Sequence, residues 1–148
     1  MRASDDSRWI GAWVLLVRTH TRFWDVVEEQ MRRDHGLTVA RYDVLAQLDV
    51  AGGRLGLGDL ASAIVLSPSG LSKLLDRMDA SGLIRREPDP DDARAAFATI
   101  TPRGRELVKE ARQGHHALLR RTFAHALTDR DLADLGRIMK KLDATTRR

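Results

Sequence analysis

Cysteine is absent from the 148 residues. That excludes disulfides and thiolate chemistry, and it fits a reducing cytoplasm, where the protein is expected. No long apolar run is present either. The first eight residues are polar, and the apolar part of 9–17 is too short to span a bilayer, so neither a signal peptide nor a membrane span is expected. Aromatics are only 5% of the chain, against 43% hydrophobic residues, enough for a core. There is no internal repeat and no low-complexity tract. A strong excess of one charge is missing as well. The net charge of +4 hints only mildly at a polyanionic partner. Residues 67–103 hold six basic residues (Lys73, Arg77, Arg85, Arg86, Arg94, Arg103) and six acids (Asp76, Asp79, Glu87, Asp89, Asp91, Asp92). Any nucleic-acid reading must therefore rest on placement.

Catalytic constellations are missing too. Ser67, Ser69 and Ser72 have no local base, and no Gly-x-Ser-x-Gly elbow occurs. Asp89, Asp91 and Asp92 lack the glycine and glutamate of a calcium loop. His115 and His116 diverge by roughly 100° on a helix, and with His20, His35 and His125 they make no zinc pattern. No enzyme activity, metal or cofactor is expected. The length fits one domain, or one domain with dimerisation arms.

What is there centres on residues 67–78. Ser67 is a good helix N-cap, and Pro68 fits the first helical position. Leu71, Leu74, Leu75 and Met78 follow on one face. The opposite face carries Ser69, Lys73 and Asp76, with Ser72 and Arg77 on its flanks. Small hydroxyls, a lysine and an arginine on this face, with the partial positive charge of the helix N-terminus, suit a DNA major groove.

The rest of the chain frames this helix. Residues 8–34 read as one long helix, apolar on more than one stripe and holding all three tryptophans, so it is expected to pack on its own body and on a partner. Gly36 ends it. Thr38 caps a second helix, with Leu37 and Tyr42 as a hydrophobic staple. Residues 54–57 read as a short strand or extended link and 59–66 as a small helix. Two short helices joined by a tight turn make a helix-turn-helix. Gly82 closes the second of them. Strands at 83–86 and 95–100 flank a proline-rich tip at 87–94, forming a hairpin wing. Thr101-Pro102 starts a long helix running to about Ala126. Thr128 starts a last one, with Asp131 at its third position and an apolar stripe of Leu132, Leu135, Ile138, Met139 and Leu142. The fold class is thus mostly α with a small β-hairpin wing: a winged helix-turn-helix at 37–101, between an N-terminal dimerisation helix at 1–36 and C-terminal dimerisation helices at 102–148. Pairing two copies through Trp9, Ile10, Trp13, Leu132, Leu135, Ile138 and Met139 would cover the leftover apolar surface.

The run Asp59-Leu60-Ala61, then 67–78, Gly82-Leu83-Ile84-Arg85-Arg86, Asp89-Pro90-Asp91-Asp92-Ala93-Arg94 and Ile100-Thr101-Pro102-Arg103-Gly104 resembles the MarR family of winged-helix regulators. The resemblance extends over nearly the whole chain. It implies a homodimer, usually a repressor, that binds a pseudo-palindromic operator on double-stranded DNA and is released by a small molecule or a redox signal. Ser67, Ser69, Gly70, Ser72, Lys73 and Arg77 would meet DNA from the helix. Asp92 and Arg94 would do so from the wing, the arginine entering a narrow minor groove and the aspartate directing it. Gly70 and Pro68 depart from the residues usual there, and the missing cysteines set the chain apart from thiol-sensing members. The arrangement also resembles a urate-responsive subgroup, which implies an Asp43–Arg77 ion pair tying the reading helix to the body. Trp9 and Trp13 would then wall a site for a small anionic aromatic effector. The competing reading is a winged-helix module whose polar helix binds another protein.

Overall fold

The structure is a computed structural model that describes residues 3–64, 66–89 and 95–146. Its elements run α1 (Ala3–His35), α2 (Val39–Val50), β1 (Arg54–Gly56), α3 (Leu57–Ala63), α4 (Pro68–Ala80), β2 (Ile84–Pro88), β3 (Ala96–Ile100), α5 (Pro102–Thr122), a 3-10 turn (Ala124–Ala126) and α6 (Asp129–Thr146). The three strands form one antiparallel sheet in the order β1-β3-β2. The chain packs as two compact units, residues 1–112 and 113–148, with α5 spanning both. No helix among the described residues is long and apolar enough to cross a membrane.

In the first unit, apolar periodicity becomes one core. Met31 of α1, Val44, Leu45 and Leu48 of α2, Leu60 of α3, Leu75 and Met78 of α4, Ile84, Ala98 and Val108 are all buried. α2 packs on α1, α3 and the sheet. α1 reaches this core only through its last third, at Val27, Gln30 and Met31, whereas residues 7–22 are exposed.

Polar side chains fix the helix ends. The Thr38 hydroxyl accepts from Arg41 N at 3.2 Å, as a cap should. A second cap comes from another helix. Glu28 of α1 accepts from Val39 N at 2.7 Å through one carboxylate oxygen and from Arg32 Nε at 2.7 Å through the other. The negative charge sits at the positive end of α2 and ties α1 to it. At the far end of α2, Asp49 receives Arg105 at 2.9 Å and Arg112 at 2.8 Å, both from α5. The Asp49 carboxylate holds the Arg112 guanidinium above its ordinary pKa.

In the second unit, α5 stops at Thr122, earlier than the expected Ala126. The Thr122 hydroxyl donates back to Leu118 O at 2.8 Å, a bond that bends helices, and a 3-10 turn follows. The final helix opens on the expected cap: Thr128 N donates to Asp131 Oδ2 at 2.9 Å, and Asp131 N returns to Thr128 Oγ1 at 3.3 Å.

The tightest backbone approach lies at the start of α5. A Cβ built on Gly104 would lie 2.1 Å from the Leu83 carbonyl oxygen. Only hydrogen fits there. Gly104→Ala is therefore expected to destabilise the chain by about 3 kcal/mol, the upper end of overpacking costs, seen as a lower urea midpoint. An unchanged midpoint would contradict this packing.

Candidate nucleic-acid interface

α4 has the geometry its sequence implies. Ser67 is extended and its hydroxyl accepts from Gly70 N at 3.2 Å, with Pro68 at the first helical position. Leu71, Leu75 and Met78 are buried, and Leu74 is half-buried. Ser69, Ser72, Lys73, Asp76 and Arg77 are exposed, as is Ser67 itself. Gly70 has a local reason to lack a side chain: a Cβ there would meet the Ser67 hydroxyl at 3.0 Å. The cap and the small residue thus keep the first turn of α4 slim, which is what close approach to a groove requires.

α3 is shifted from its expected place. It begins at Leu57 and ends at Ala63, and Ile64 is extended and buried. The apolar side chain of Ile64 plugs the core, and the chain leaves the helix there to reach Ser67. β2 is longer than expected, ending at Pro88, which pairs with Ala96. A proline is tolerated because β2 is an edge strand. Asp89 N donates to Ala95 O at 3.0 Å and closes the described part of the hairpin. The wing residues Asp92 and Arg94 lie outside the described residues. On the sheet, Arg54 stacks over the Phe97 ring at 3.7 Å.

The C-terminal end of α4 is held more firmly than any local signal indicates. Gly82 takes φ +70°, and the turn is a full Schellman motif, with Gly82 N on Asp79 O at 2.8 Å and Leu83 N on Met78 O at 3.0 Å. The start of α5 then grips that turn. The Thr101 hydroxyl donates to the Gly82 carbonyl at 2.7 Å and lies 3.1 Å from that of Leu83. It also caps α5 by accepting from Gly104 N at 3.0 Å. Arg103 donates to the Ser81 carbonyl at 3.1 Å, and Arg41 of α2 donates to the Ser81 hydroxyl at 3.3 Å. From the wing base, Arg86 pairs with Asp76 of α4.

The expected Asp43–Arg77 pair is not formed. Asp43 is half-buried on α2 and hydrogen-bonds to Gln47, one turn on, while Arg77 is exposed on α4. A partner four residues away on the same helix is always in reach, and the Arg77 side chain stays in water. Trp9 and Trp13 are exposed on α1.

The model described as the MarR family matches residues 35–95, the stretch from the end of α1 through the wing tip. The structure of Sco3205, a MarR family transcriptional regulator from Streptomyces coelicolor in complex with DNA, superposes with a TM-score of 0.89 at 27% identity, covering 100% of this chain and 94% of that one. Over residues 35–95 the chain matches the MarR family. AbsC, another MarR family regulator from Streptomyces coelicolor, gives a TM-score of 0.86 at 29% identity over 98% of this chain and 95% of its own. The transcriptional repressor IacR of Pseudomonas putida is 26% identical over 125 residues, covering 84% of this chain and 73% of IacR. The MarR winged helix is therefore the frame in which α4, the wing and their supports are to be understood, and the chain is a DNA-binding transcriptional regulator.

Asp43 supplies a pH test of this geometry. Burial raises its pKa, and the Gln47 hydrogen bond only partly opposes that. A raised carboxyl favours the protonated folded state, so stability is full below the unfolded value of about 3.9 and falls as pH rises through the folded value. Asp43→Asn is expected to be more stable than wild type at pH 7, with the difference gone below about pH 3.9. An equal difference at both pH values, read from thermal melts, would contradict it.

Proposed function

We propose that the protein is a repressor that binds a pseudo-palindromic operator as a homodimer, reading the major groove with Ser69, Ser72, Lys73 and Arg77 of α4. The observation that carries the reading is the exposed polar face of α4, presented by a capped, slim first turn above a fully apolar buried face. Lys73 and Arg77 supply phosphate or guanine contacts, and the serines permit close approach. The named repressor and the DNA complex among the relatives support the same direction.

Dimer formation is supported by apolar surface in both units. Trp9 and Trp13 are 61% and 62% exposed on α1, beside exposed Ile10, and Ile138 is 43% exposed on α6. Leu132, Leu135 and Met139 are half-buried. Large apolar side chains clustered on an exposed helix mark an association site. Two-fold pairing would set two copies of α4 in successive major grooves about 34 Å apart.

Selection of fragments from a random DNA pool tests the reading. An inverted repeat is expected among the retained sequences, and no enrichment would overturn it. On the selected operator, Lys73→Ala should weaken binding to all sequences and reduce the salt slope by about one. Ser72→Ala should cost less and shift base preference. Unchanged affinity in both variants would remove α4 as the reading helix.

A further inference from the structure

The reading face of α4 contains a charge of the wrong sign. Asp76 lies one turn beyond Lys73 and next to Arg77, and its side chain is 61% exposed. A bare carboxylate on a helix that enters DNA faces a phosphate lattice of like charge. The structure answers that charge from another element. Arg86 of β2 reaches across and pairs with Asp76 Oδ1. The Arg86 side chain is itself only 29% exposed, and its backbone is fixed in the sheet opposite Ala98. The arginine is thus presented by the rigid base of the wing.

We infer that Arg86 is a positioning residue for operator binding: by holding Asp76 it masks the carboxylate that stands between Lys73 and Arg77 on the polar face of α4 and locks the wing base to that helix. This inference rests on the DNA-binding reading above. A half-exposed ion pair adds little to the stability of the free protein, because water screens it. Its effect grows in the complex, where water leaves and an uncovered Asp76 would meet phosphate. The pair also joins the two elements that must approach DNA together, so that helix and wing present one surface.

A double-mutant cycle on the operator tests this. Arg86→Ala is expected to weaken operator affinity by about 30-fold, the effect of leaving one member of a desolvated charge pair alone. It should leave the melting temperature within a few degrees of wild type. Adding Asp76→Asn to Arg86→Ala should restore at least about tenfold, because the charge that needed masking is gone. In the wild-type background the same Asp76→Asn change should tighten binding far less. Restored binding can come only from folded protein, so the rescue stands apart from any folding defect. Equal effects of Asp76→Asn in both backgrounds would overturn the inference and make Arg86 a direct phosphate contact. Wild type that binds no operator would overturn the DNA-binding reading itself. Wild type that binds, with additive variants, would overturn only the masking role.

Discussion

The position of α4 depends on one contact: the turn at Gly82 and Leu83 seated under the first residues of α5. Gly104 lets the Leu83 carbonyl approach where a methyl group would collide. Thr101 uses its hydroxyl twice, donating to the Gly82 carbonyl and accepting from Gly104 N. Its backbone N–H donates to Leu83 O at 3.1 Å. Thr101 and Arg103, with Arg41 reaching from α2, therefore set where α4 ends. Because a helix is stiff, setting its end sets the direction of its exposed face. The free face can then be polar and lightly packed without losing its aim.

The same junction connects α4 to the other helices of the first unit. α5 starts at the grip on α4, and within the first unit it carries Arg105 and Arg112, which clasp Asp49 of α2. α2 is fastened to α1 by the Glu28 carboxylate on its N-terminus. α1, α2 and the start of α5 are thus tied to one another by ionic or charge-assisted bonds. Charged hydrogen bonds of this kind are stronger than neutral ones and directional. Within 67–103, one acid of the polar face of α4 is matched in the same way. Asp76 is answered within the protein, and Lys73 and Arg77 are left exposed.

The local signals were legible in the sequence. Ser67 and Thr38 cap the helices they were expected to cap, Gly82 takes the left-handed conformation, and Thr128 with Asp131 forms the box. Each of these needs only residues within a few positions. The apolar stripe of α4 was legible for the same reason. What the sequence hid are the partners brought together by folding: Glu28 with Val39, Asp49 with Arg105 and Arg112, Asp76 with Arg86, Thr101 with Gly82. Nothing in the spacing of those residues distinguishes them from solvated charges. The Asp43–Arg77 pair shows the reverse case, since a partner imported from resemblance lost to Gln47 one turn away. α5 ends at Thr122, short of the expected Ala126, although apolar periodicity continues past it at Phe123.

Amide hydrogen exchange in the free protein tests the seating of α4 most directly. Leu83 N donates to Met78 O, Thr101 N to Leu83 O and Gly104 N to the Thr101 hydroxyl. If the start of α5 holds the end of α4, these three amides open together with those of the last turn of α4, in one cooperative unit. Thr101→Val should then lower protection at all of them by a similar factor and leave the α1–α2 contact at Val39 unchanged. Loss of protection confined to Gly104, with the last turn of α4 as slow as in wild type, would contradict the account.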